Sequence, residues 1–181
     1  MIAVVSAILY LVLVVRENIW CWFFAFISTG IYIYLFHSVS LFSESVLNFY
    51  YLLMAIYGWW QWHKKGPERE IYIQNWSPRL HFLVIGACLL LTPLLGYYMS
   101  TIGASFPYLD AFVALLAVCA TVMVAYKVFE NWYYWIVVDS LSIYLFWQKG
   151  MFLTVFLMFL YLILIYFGLR NWKQLMNKQN Q

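Results

Sequence analysis

The sequence predicts an all-α polytopic membrane protein, with seven transmembrane helices in a 3+1+3 parallel pseudo-twofold repeat. Three observations lead there. Of 181 residues, 66% are hydrophobic, 23% aromatic and only 9% charged, whereas soluble domains carry about 25% charged residues. The apolar residues gather into seven segments near the ~20 residues that a bilayer's hydrocarbon core requires. One stretch of chain also matches another 110 residues later.

The segments are expected at residues 2–16, 18–36, 41–62, 80–99, 108–128, 131–148 and 150–170. The first is short, with no Lys or Arg before it and no small-residue cleavage site after it, so a retained span is expected rather than a leader. Arg16-Glu17-Asn18 divides it from the second, and His37-Ser38-Val39-Ser40 divides the second from the third. The stretch from His63 to Pro78 is the long polar loop; its Lys64, Lys65, Gly66, Pro67, Glu68, Arg69 and Glu70 end the third helix. A lone fourth span follows, and the last three spans complete the bundle. The organisation expected is a first three-helix repeat over 1–62, a loop and linking helix over 63–107, a second repeat over 108–172 and a tail over 173–181.

The repeat supports this division. Leu35 to Trp62 aligns without a gap on Leu145 to Trp172, with identities including Leu35/Leu145, Phe36/Phe146, Phe42/Phe152, Tyr51/Tyr161, Gly58/Gly168 and Trp62/Trp172. Upstream, a three-residue shift sets Glu17-Asn18-x-x-x-Trp22 against Glu130-Asn131-x-x-x-Trp135. The odd fourth span lets both copies point the same way, and parallel repeats are a transporter architecture with the solute site between the halves. Basic residues then set the orientation. With the C-terminus inside, nine of them (Arg16, Lys64, Lys65, Arg69, Arg79, Lys127, Arg170, Lys173 and Lys178) are inner and only Lys149 is outer, which the positive-inside rule reads as N-out, C-in.

Several function classes are disfavoured. No nucleic-acid motif accompanies the net charge of +3. Cys21, Cys88 and Cys119 sit in separate spans without metal-ligand spacing, and His37, His63 and His81 lie at three different boundaries. No P-loop, GxSxG, HExxH or GxGxxG is present, so neither a cofactor, a metal nor covalent catalysis is expected. A lipid-active enzyme would need paired acids or histidines at one depth, and a channel would need rings of carbonyls or charges where this chain places indoles and phenols. A non-transporting structural membrane protein remains the competing class; it would show no uptake and would tolerate Asp139→Asn.

The candidate site residues lie in the third and sixth spans. Asp139 stands inside an apolar segment, where a central Asp costs ~3 kcal/mol and usually faces a bundle interior or a solute path. Trp135 lies one helical turn before it, so acid and indole share a face. The bland alternative for Asp139 is an ion pair with the Arg16 or Lys127 region. In the third span Glu44, Asn48 and Tyr51 are spaced i, i+4 and i+7 on one stripe. Asn48 could equally be an interhelical hydrogen bond, and Glu44 a solvated residue at the mouth. Trp59 and Trp62, near His63, also fit an interfacial aromatic belt. Indoles, phenols, amides and acids along one path suit a flat, uncharged-to-cationic heteroaromatic solute.

At these residues the chain resembles the PnuC family of vitamin transporters. The likeness rests on Asn48-x-x-Tyr51-x5-Tyr57-Gly58-Trp59-x-x-Trp62 and on Asn131-Trp132-x-x-Trp135-x-x-x-Asp139, and it runs from Glu17 to Trp172. It implies facilitated diffusion of a non-phosphorylated vitamin precursor across the bacterial inner membrane, trapped afterwards by a cytoplasmic kinase, without ion coupling. It also implies a substrate site at Asn48, Tyr51, Trp59, Trp62, Asn131, Trp135 and Asp139, and a homotrimer. In many nicotinamide riboside transporters an amide stands at the position of Asp139. The acid, with Glu44, favours a cationic solute such as nicotinamide riboside or thiamine over neutral riboflavin.

Overall fold

The computed structural model describes residues 2–38, 42–63 and 72–179, with only the backbone described for 42–44. Seven helices follow one another: α1 (Ile2–Val15), α2 (Cys21–Ser38), α3 (Phe42–His63), α4 (Pro78–Thr101), α5 (Pro107–Ala125), α6 (Asn131–Gln148) and α7 (Phe152–Gln179). By length and composition α2, α4, α5 and α7 are each apolar enough to cross a membrane, with mean hydropathy of 1.3 to 2.5 over their best windows. In α3 and α6 the candidate polar residues dilute the apolar run. At 14 residues, α1 is about 21 Å long, less than the ~30 Å hydrocarbon core.

Local chemistry sets the helix ends. Ser77 caps α4 by accepting from the Leu80 amide, with Pro78 in the first turn, where its missing N–H costs nothing. That start lies two residues before the expected one. The fifth helix stops at Ala125 rather than 128, because Tyr126 and Lys127 form a turn with Lys127 at φ +52°. The seventh begins after Gly150, φ +70°, and runs to Gln179. Residues 173–179 are helical and continuous with α7; no Gly or Pro interrupts them, and apart from Asn177 they are Lys, Gln, Leu and Met, good helix formers. The expected loop residues 64–71 lie outside the described residues.

Six helices close a ring. Neighbours in sequence pack as α1 on α2, α2 on α3, α5 on α6 and α6 on α7, while α3 on α5 and α7 on α1 join the two units. Outside this ring, α4 packs mainly on α5, and its His81 meets the Tyr134 hydroxyl of α6 at 3.0 Å. Only 11% of its membrane window is buried, against 44% for α5, so α4 presents Phe82, Leu83, Leu90 and Leu94 outward.

The two units correspond closely at an offset of 110. Cys21–Ser38 and Asn131–Gln148 have matching bounds, α3 and α7 start at Phe42 and Phe152, and α1 and α5 end at Val15 and Ala125. Contacts correspond as well. The Trp22 ring covers Gly58 and the Trp132 ring covers Gly168, each so closely that a Cβ on the glycine would collide with the indole. Trp22 meets Trp62 edge-on at 5.6 Å, and Trp132 meets Trp172 edge-on at 5.3 Å. Trp22 thus corresponds to Trp132, not to Trp135 as the three-residue shift suggested. That shift matched similar loop residues, whereas the packing follows the spacing from indole to glycine, which is the same in both units.

Candidate functional site

Asp139 sits near the middle of α6, 5% exposed. The Tyr51 hydroxyl from α3 and the Tyr161 hydroxyl from α7 both lie within electrostatic reach of its carboxylate. Tyr10 of α1 is in turn close to both phenols. One helix from each unit thus brings a phenol toward this acid. Lys127 does not pair with it; its ammonium bonds Glu17 at 2.6 Å. Among the described residues Asp139 has no hydrogen-bond or ion-pair partner. Ser142, one turn on, is buried on the same helix.

Trp135 is half-buried and packs against both buried clusters of the bundle, bridging the core of the first unit's junction to that of α4–α6. Asn48, also half-buried, is one turn from Tyr51 on α3. Tyr51, Trp135, Asp139 and Asn48 form the mid-depth group. The side chain of Glu44 lies outside the described residues.

The other expected site residues occupy a second layer. Trp62 is eleven positions beyond Tyr51, about 16 Å along α3, and Asn131 is about 12 Å before Asp139 along α6. Here the indoles are engaged with the scaffold. Trp62 donates from Nε1 to the Ala125 carbonyl at 3.1 Å, and Trp172 donates to the Val14 carbonyl at 2.9 Å. These carbonyls belong to the last turns of α5 and α1, which lack helical donors. Lys127 Nζ also stands 4.9 Å from the Trp62 ring centroid, a cation–π distance. Asn131 is fully buried; its amide donates to the Val128 carbonyl at 2.6 Å, and its Oδ1 has no partner among the described residues. Trp59 turns elsewhere, edge-on to the exposed Trp20 at 5.4 Å and stacked with His63, the placement expected of a belt residue.

Tyr161 and Tyr10, near the mid-depth group in the structure, were not singled out from the sequence. Tyr161 carried a signal, being the repeat counterpart of Tyr51, but in an apolar helix rich in aromatics a phenol reads as core. A groove of about 470 Å³ at the far end of α4, lined by Leu91, Leu94, Tyr97, Tyr98 and Leu115, is apolar and remote from this chemistry. The central ring, with its single carboxylate, is the better candidate.

Comparison with known proteins agrees with this architecture. Residues 1–174 match the family model described as nicotinamide mononucleotide transporter. The chain belongs to that family. Its relatives include the nicotinamide riboside transporter PnuC of Neisseria mucosa, 27% identical over 193 residues covering 99% of this chain and 73% of the relative. Another is the riboflavin/roseoflavin transporter RibM of Streptomyces davaonensis, 22% identical over 95% of this chain and 83% of the relative. The crystal structure of the vitamin B3 transporter PnuC superposes with a TM-score of 0.80 at 26% identity, covering 98% of this chain and 81% of that one. The family is one of membrane transporters for vitamins rather than enzymes.

Proposed function

We propose that this transporter carries a flat aromatic cation, nicotinamide riboside, by facilitated diffusion, and that a cytoplasmic kinase then traps it by phosphorylation. One observation carries the choice of a cation: an acid buried at mid-depth without an ion-pair partner among the described residues, with Tyr51 and Tyr161 within electrostatic reach. A pyridinium ring against Asp139 would supply the missing charge, and phenol and indole faces would stack on it. Asn48 and Trp135 complete the proposed contacts, while Trp59, Trp62 and Asn131 lie at one end of the path. Glu44 would stand at the opposite mouth, and rocking of one three-helix unit against the other would alternate access. The N-terminus is placed outside and the C-terminus in the cytoplasm.

Calorimetric titration of the detergent-purified protein with nicotinamide riboside, thiamine and riboflavin tests this. The expected outcome is micromolar or tighter binding of nicotinamide riboside that weakens in Asp139→Asn. Thiamine binding alone would keep the cation and change the vitamin; selective riboflavin binding would overturn the role given to Asp139.

A further inference from the structure

Glu17 and Lys127 hold corresponding positions in the two units, 110 residues apart, and they pair with each other at 2.6 Å. Each follows the end of a helix, α1 or α5, and each has a left-handed backbone, φ +54° and +52°. The local hydrogen bonds also match. Glu17 N donates to Val14 O and Asn18 N to Leu13 O; Lys127 N donates to Val124 O and Val128 N to Met123 O. This is the helix-ending turn that normally uses glycine, because a side chain there costs about 1–2 kcal/mol. Both units instead place a charged residue at the one position where glycine fits best, and the two charges are opposite.

We propose that the Glu17–Lys127 pair is a latch between the two units that closes this end of the solute path. Among the described residues it is the one ion pair that joins the units; His81–Glu130 and Lys149–Asp110 do not. It is only 14–16% exposed, so its attraction is less screened than that of a surface pair. Lys127 bears on the Trp62 ring, whose N–H crosses to the α5 end while Trp172 crosses to the α1 end. Releasing the latch frees the indole layer on both sides of the junction. The Lys127 turn is also strapped by the end of the long loop: Gln74 N donates to Lys127 O at 3.1 Å and Phe129 N to Gln74 O at 2.8 Å. The Glu17 turn is held instead from α7, where Asn171 Nδ2 donates to Val15 O at 2.7 Å. Each turn thus has its own support, and the ion pair spans the gap between supports.

The inference rests on the transport reading, but its test requires no substrate, so the two fail separately. Cys21, fully buried at the start of α2 next to Trp22, is a native reporter of opening. With Cys88→Ala and Cys119→Ala in the full-length protein, alkylation of Cys21 by a water-soluble maleimide is timed in detergent. Glu17→Lys sets two like charges together and is expected to accelerate labelling about tenfold, ~1.4 kcal/mol in the opening equilibrium; adding Lys127→Glu is expected to return the rate to that of the parent. Glu17→Gly removes the charge while suiting the left-handed turn, so it accelerates labelling without loss of folded protein by size-exclusion chromatography. Parental labelling rates in Glu17→Lys and Glu17→Gly, or a doubly reversed protein that stays fast, would overturn the latch.

Discussion

The two three-helix units share a scaffold and differ in their chemistry. Trp22 on Gly58 repeats as Trp132 on Gly168, and Trp62 on the α5 end repeats as Trp172 on the α1 end. The polar positions diverge. Asp139 corresponds to Thr29, whose hydroxyl donates to the Ala25 and Phe26 carbonyls of its own helix; one position is self-satisfied, and the other has no hydrogen-bond or ion-pair partner among the described residues. Asn131 corresponds to Cys21, Trp135 to Ala25 and Asn48 to Met158. Tyr51 and Tyr161 alone remain alike among the mid-depth groups. The packing contacts recur in both units, whereas the polar candidate residues stand in one unit at each place.

This comparison breaks most readily at the glycines. Gly58→Ala and Gly168→Ala each drive a methyl into a rigid indole and are expected to destabilise by about 1–3 kcal/mol, to similar extents, as read from thermal melting in detergent. Gly30→Ala, with only Leu52 Cδ1 at 4.0 Å, serves as the control and is expected to be neutral or slightly stabilising. Unequal losses at Gly58 and Gly168 would mean that the scaffold is not equivalent after all.

Next in size is the divergent pair. Asp139→Asn is expected to weaken binding of a cationic vitamin about tenfold, ~1.4 kcal/mol, while raising the melting temperature of the ligand-free protein, because an acid buried without a partner is replaced by a neutral amide. Thr29→Val should change neither beyond its own packing. A smaller, symmetric effect is expected at the indole donors. Trp62→Phe and Trp172→Phe each lose one hydrogen bond to a helix end, about 0.5–1.5 kcal/mol, again measured by melting.

Much of the fold was legible because helices of membrane length and a long ungapped repeat are periodic features. The charge arrangement was not. Nothing local marks Lys127 as left-handed, since that conformation is ordinarily betrayed by glycine, so the sequence offered Lys127 only as an alternative partner for Asp139 and gave no sign of its pair with Glu17. The α2–α6 correspondence was misplaced by three residues because loop letters were matched; the indole-to-glycine spacing would have placed it. Of the candidate residues, Asp139 and Trp135 were readable from one face of the sixth span and Tyr51 from a polar stripe of the third. Trp62 was readable as important but not as a scaffold donor, because an indole N–H and its carbonyl acceptor on another helix share no sequence pattern.

Among the described residues Asp139 is the one acid at mid-depth, which bears on how the two units must differ. Two identical chains meeting around such a ring would bring either two carboxylates to its centre or none, and two close acids repel until one takes up a proton. If the lone acid receives a cationic ring as proposed, the two units must differ at this position, which a single chain carrying both units allows.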